Sequence, residues 1–231
     1  MKRYRYPSLD QYIAQERKTI RYLMTQSTIR KYGAFAGQLS GLYDKLKGKF
    51  NRNITWDFEF KSEFEKQRKT HAVKLSGKVE FDADRLIFSS HNITIFGVAD
   101  SEFQGKVIRQ LHFDVAFPWE KNKALHPLYH IQSEGAYDVG GKEDAAEESC
   151  HVSLPRIPFY PLSLALFFDM SIREVGSEDL KTMIEVGGWR EIIRANEDKM
   201  IYPFWDEVVH RKNTRGTFII PDIYYEPGDQ A

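Results

Sequence analysis

Three of the seven histidines and two carboxylates of this chain lie close together, in His112-Phe113-Asp114 and in His126-Pro127-Leu128-Tyr129-His130-Ile131-Gln132-Ser133-Glu134. Neutral imidazole and carboxylate can jointly hold a divalent metal, or exchange protons as general acid and base near neutral pH. Both segments read as β-strands. Successive strand residues face opposite ways, so Gln110, His112 and Asp114 share one face, as do His130, Gln132 and Glu134. If the two strands pair, six polar side chains converge on one patch. His112, Asp114, His130 and Gln132 are therefore the candidate catalytic residues. His112, Asp114 and His130 are the candidate ligands of a divalent metal, expected within about 3–6 Å of one another. The alternative is a row of solvated polar residues on the outer face of a sheet. His126 extends the His130 row, but Pro127 argues against a zinc-binding helical face, and no His-Glu-x-x-His occurs.

A second candidate is electrostatic. The formal net charge is zero, yet residues 1–50 carry eleven Lys/Arg against three Asp/Glu. Residues 134–148 carry six acids and one lysine, and residues 216–231 three acids and no base. Clustered basic charge attracts phosphate and releases counterions. Arg17, Lys18, Arg21, Arg30 and Lys31 are the candidate nucleic-acid contacts, with Tyr4, Tyr6, Tyr12, Tyr22 and Tyr32 as stacking partners. Arg156 joins them, held on the stiff Pro155–Pro158 stretch where it can present a guanidinium to phosphate. Reversing Arg17, Lys18 and Arg21 to glutamate is expected to leave the melting temperature nearly unchanged. The competing reading is a solvated helical face, or a dock for the chain's own acidic segments.

Other combinations carry less. Asp57-Phe58-Glu59-Phe60-Lys61 holds the Glu-x-Lys half of a restriction-endonuclease-like site, but only helices precede it and the alternation describes a solvent face. Cys150 and His151 are adjacent, so on a strand they point apart. Cys150 is the single cysteine, which excludes an intramolecular disulfide and a cysteine-built zinc site. No glycine-rich phosphate loop is present, so nucleotide cofactors held by such loops have no support. No apolar run approaches the roughly 20 residues of a membrane span, and no secretory signal is visible. The expected location is cytoplasmic, with no membrane partner.

The elements that must position these residues follow from periodicity. Ser8-x-x-Gln11 has the form of a capping box, and Leu9, Ile13, Ile20 and Met24 recur at helical spacing. Tyr32, Phe35, Ala36, Leu39, Leu42 and Leu46 form the apolar face of a second helix, completing a hairpin. Gly33, Gly37 and Gly41 lie four apart on its flank, which predicts a close backbone contact. From Asn53 the period becomes 2: Ile54, Trp56, Phe58 and Phe60, then Val73, Leu75, Val79 and Phe81, alternate with polar residues. Residues 86–98 supply one or two strands, residues 107–117 another, and residues 128–133 the next. Gly135–Glu148 reads as a loop. Pro161 begins a nearly all-apolar helix to about Val175, Ser177 caps a short one to Val186, and Gly187-Gly188 breaks it. A final helix runs from Trp189 to about His210, with a kink at Pro203.

His112-Phe113-Asp114, His126-Pro127-x-x-His130-x-Gln132 and Arg156-Ile157-Pro158 together resemble an uncharacterised microbial family, a domain of unknown function. The likeness covers residues 107–170 and implies that the three segments act together, in a genome-defence or mobile-element setting.

The expected fold is α+β in one domain. It comprises a helical hairpin (1–50), an antiparallel meander of five or more strands (53–154), a helical cluster (155–213) and an extended tail (214–231). Three functions fit: a non-enzymatic nucleic-acid or nucleotide-interacting module working with partner proteins, a metal-dependent phosphodiesterase or nuclease using the His/Asp patch, or a protein-interaction scaffold.

Overall fold

A computed structural model describes residues 7–47, 53–64, 69–82, 85–96, 107–115, 129–134, 157–158 and 162–215. The chain is α+β, with helices packed on an antiparallel sheet. Helix α1 spans Leu9–Thr25 and opens on the complete capping box: Gln11 N–H donates to Ser8 Oγ at 3.3 Å, and Ser8 N–H donates to Gln11 Oε1 at 3.1 Å. A short helix not expected from the periodicity, α2 (Ser27–Lys31), ends at Tyr32, whose φ of −94° and ψ of 76° are not helical, and the second expected helix is α3 (Gly33–Lys47).

Four long strands make the meander: β1 (Asn53–Phe64), β2 (Lys69–Asp82), β3 (Arg85–Phe96) and β4 (Val107–Val115). Each runs antiparallel to the one before. Of the five or more strands expected, these four are long, and residues 85–96 form a single strand because polar Ser90 and Asn92 fit its outward face. Two shorter segments, β5 (Tyr129–Glu134) and β6 (Ile157–Pro158), continue the β4 edge. At the opposite edge, Gln38 Oε1 of α3 accepts the Glu59 N–H at 3.1 Å, so β1 is partly covered by a helix.

Period-2 alternation decides which face is buried. Ile54, Trp56, Phe58, Phe60, Val73, Leu75, Val79, Phe81, Ile93 and Phe113 line the inner face, and helices cover it. Phe35 of α3 meets Phe58 with ring centroids 5.0 Å apart, and Tyr12 of α1 meets Phe81 at 5.3 Å. Helix α4 (Leu164–Val175) is the apolar helix expected to be buried, and Leu164 through Phe168 are buried. It starts three residues after Pro161, because Ser163 serves as N-cap and accepts from Leu166 N–H at 3.3 Å. Helix α5 (Glu178–Ile184) follows. Gly187 and Gly188 open, rather than precede, α6 (Gly187–Arg215), which carries Pro203 within it.

Two glycines act oppositely. Trp56 pairs directly with Gly77 across β1 and β2, and a Cβ at Gly77 would lie 2.3 Å from the Trp56 ring. The indole occupies the space a side chain would need. Gly33, Gly37 and Gly41, by contrast, are exposed, and a Cβ at any of them meets nothing within 4 Å among the described residues. Among the described residues the expected close contact along this flank is absent: α3 packs through Phe35, Leu39, Leu42 and Leu46, on the other side of its axis. Gly77→Ala should therefore cost about 1–3 kcal/mol by overpacking. Gly37→Ala should stabilise by up to about 1 kcal/mol, and Gly37→Leu should not destabilise. Urea unfolding of the three variants measures this directly; a destabilised Gly37→Ala would contradict it.

Candidate functional site

The sheet register settles which face each polar residue takes. Across β4 and β5, Gln110 pairs with Glu134, His112 with Gln132 and Asp114 with His130. The six residues thus share one face, as their sequence parity implies. The row continues across the sheet: His112 pairs with Asn92, Asn92 with Ser76 and Ser76 with Asp57. Phe113 and His91, one position away, face the helices instead. Backbone positions are described for Asp114, His130 and Gln132 but their side chains are not, so the expected 3–6 Å grouping lies outside the described residues. His112 is half-buried, and Asn92 Nδ2 donates to Ser90 Oγ at 3.4 Å. Among the described residues no three His, Cys, Asp or Glu side chains are grouped to hold a metal. His126, Cys150, Arg156, the acidic segment 135–148 and residues 216–231 also lie outside the described residues, while residues 214–215, expected in the tail, belong to α6.

The Glu-x-Lys segment of β1 is accounted for by charge. Lys74 Nζ lies 3.4 Å from both Asp57 and Glu59, an ion-paired cross-strand group on the outer face.

The basic helices separate into three kinds of cation. Arg17 and Arg21 of α1 stand over the Tyr43 ring of α3, at 5.7 and 5.8 Å from its centroid, and Lys47 Nζ approaches the same ring at 4.4 Å. Arg21 Nη2 also donates to the Tyr43 hydroxyl at 2.7 Å. Hydrogen bonding from Arg21, then from Arg17, holds the Tyr43 phenol below its ordinary pKa. Lys47 has a counter-ion in Asp44 at 3.1 Å; among the described residues Arg17 and Arg21 have none. Lys18 is exposed beside them, one turn from Arg21. Arg30 instead donates to the Thr25 carbonyl at 3.2 Å, closing the end of α1, and Lys31 pairs with Asp179 of α5 at 3.1 Å. Those two serve the packing of α2.

Two sequence expectations need correction here. Tyr12 is buried against Phe81, Tyr22 packs on Trp189 with ring centroids 5.9 Å apart, and the Tyr32 hydroxyl bonds Ser177 Oγ at 2.8 Å. These tyrosines fill the core and its margins, and Tyr4 and Tyr6 lie outside the described residues. Arg17 is half-buried with an enclosed Nε, so reversing its charge also disturbs packing. Tyr43 and Lys47 were missed. Their i, i+4 spacing marks one flank of α3, but only the docking of α1 makes that flank a cationic site.

Two buried titratable groups were also missed. Glu16 of α1 is 3% exposed, and its Oε1 accepts from Leu164 N–H at 3.0 Å, so one helix caps the N-terminus of another. Burial raises its pKa from 4.5 to about 7, with the Leu164 amide and the Tyr12 hydroxyl opposing. His91 is 1% exposed between Trp56 and Phe167, its Nδ1 3.2 Å from Ser89 Oγ, and burial lowers its pKa from 6.5 to about 3.

No protein-family model, no curated protein and no solved structure matches the chain. Among the described residues no helix is long and apolar enough to cross a membrane.

The two buried groups set opposite pH limits. Folded Glu16 keeps a proton that the unfolded chain releases between pH 4.5 and about 7, so stability falls as pH rises through that window. Folded His91 refuses a proton that the unfolded chain takes up, so stability is lost as pH falls from 6.5 toward 3. The limiting effects are on the order of 3 and 5 kcal/mol respectively. Between pH 4.5 and 6.5 the two contributions oppose each other, so Glu16→Gln should make stability rise more steeply with pH there and His91→Leu should make it fall, in urea titrations across pH. Unchanged slopes in both variants would contradict these environments.

Proposed function

We propose that this chain is a nucleic-acid-interacting module that acts without catalysis, through the cations gathered at Tyr43. One observation carries the reading: Arg17 and Arg21 converge on one phenol with no carboxylate opposite them among the described residues. Two guanidiniums held side by side repel each other, and a phosphate oxygen between them relieves that repulsion while accepting charge-assisted hydrogen bonds. Lys47 and Lys18 add charge at the rim. A partner protein and the genome-defence setting implied by the resemblance belong to the same proposal.

Binding of a labelled oligonucleotide, followed by fluorescence anisotropy, should weaken with salt. A slope near −3 in log K against log salt is expected if about three phosphates are neutralised on duplex DNA. Lys18→Glu with Arg21→Glu should lower affinity at least about tenfold at low salt, since each phosphate contact adds to both affinity and slope. The melting temperature should barely move, because both side chains are exposed; Arg17 is left in place for the reason given above. Absence of binding at about 50 mM salt would remove this reading in favour of a protein-interaction scaffold.

The register favours a second reading, a metal-dependent phosphodiesterase. It puts Asp114 opposite His130 and His112 opposite Gln132 on one face, and a His/Asp set of this composition suits a first-row divalent cation. Such a cation would polarise a phosphoryl oxygen and lower the pKa of a bound water. Titration with Mn²⁺ should then show one site that is lost in Asp114→Asn and His130→Ala and removed by a chelator. Binding unaffected by both substitutions would eliminate it.

A further inference from the structure

Resting on the nucleic-acid reading, we infer that the Tyr43 cluster contacts the phosphodiester backbone and not the bases, and that Tyr43 is the positioning residue that sets its two guanidiniums. The first half follows from where the aromatic rings are. Sequence-tolerant binding of bases needs aromatic faces open to stack. In α1–α3, Tyr12 is buried, Tyr22 lies on Trp189, and Phe35 is enclosed among Phe58, Phe60 and Phe168. Tyr32 is tied to Ser177. The ring of Tyr43 is occupied by cations from α1 and α3. What this surface offers a ligand is N–H donors and positive charge, which suits phosphate oxygens.

The second half follows from what holds the arginines. Free arginine side chains carry several rotatable bonds, and fixing them on binding costs affinity. Here the Tyr43 ring attracts both guanidiniums through its face, and its hydroxyl accepts from Arg21, so the ordering is done before the ligand arrives. The charged groups facing Tyr43 among the described residues are Arg17 and Arg21 from α1 and Lys47 from α3, with Asp44 on Lys47 as the one acid. Asp44 therefore competes with the ligand for Lys47.

The full chain is tested with three probes: a single-stranded oligonucleotide, an abasic deoxyribose-phosphate oligomer of equal length, and the duplex. Backbone contact predicts that the abasic oligomer binds within about threefold of the oligonucleotide, since the phosphate term is independent of base. Tyr43→Phe should lower affinity about fivefold with an unchanged melting temperature, through loss of Arg21's acceptor. Asp44→Asn should raise affinity about twofold or more by freeing Lys47.

The alkaline profile separates positioning from packing. As the Tyr43 phenol, held below its ordinary pKa by Arg21 and Arg17, ionises, the phenolate takes up the guanidinium charge, so wild type should lose binding at a lower pH than Tyr43→Phe. An abasic oligomer bound more than about tenfold more weakly than the oligonucleotide would overturn backbone contact. Equal affinity and equal alkaline profiles of wild type and Tyr43→Phe would overturn positioning. Failure of all three probes to bind would instead remove the underlying nucleic-acid reading.

Discussion

Helix α4 enters the sheet's inner face at one place, and the other contacts are arranged around that fit. Phe167 meets Trp56 of β1 at 5.5 Å, His91 of β3 at 5.0 Å and Phe113 of β4 at 5.9 Å, so one ring ties three strands to one helix. Its neighbour Phe168 turns to Phe35 of α3 and Trp189 of α6. Room for this exists because Gly77 lets the Trp56 indole lie flat against β2. The helix is held at its start by Glu16 and along its length by Trp189 Nε1–H donating to Asp169 Oδ1 at 2.8 Å. Aromatic rings supply much apolar area with few rotatable bonds, which makes such a junction specific as well as stabilising.

That fit also determines how the two candidate sites relate. Helices α1 and α3 pack on the inner face through Tyr12 and Phe35. The row from Asp57 to Gln132 lies on the outer face. The cation cluster and the histidine row are thus carried on opposite sides of the sheet. They do not combine into one active centre, and each has to be judged on its own chemistry.

Two ionisable groups, Glu16 and His91, are buried. His91 takes a position on the inner face that an apolar residue would otherwise occupy, and it is kept neutral between rings. Glu16 satisfies the first amide of α4 and is held near neutrality by the same burial. A buried carboxyl at a helix start satisfies an otherwise orphaned N–H, and its own desolvation is the opposing cost.

The sequence by itself determined the local and periodic features. Among them are the Ser8–Gln11 capping box, the period-2 rows of β1 and β2, the all-apolar character of α4, and the shared face of Gln110, His112 and Asp114. Each depends on residues a few positions apart, and helical or strand geometry converts that spacing into a face without reference to the rest of the chain. The tertiary structure decided what depends on distant partners. Gly33, Gly37 and Gly41 have the spacing of a packing seam but meet no neighbour among the described residues, while Gly77, with no such spacing, lies under an indole. Tyr12 and Tyr22 went to the core, while Tyr43 stayed at the surface. Arg17 and Arg21 met Tyr43 and Lys47 about two dozen positions along the chain, and Glu16 met Leu164 across 148 positions. No periodicity encodes such meetings, because which flank of one helix docks on another is set by the summed fit of the core and not by any one residue's neighbours.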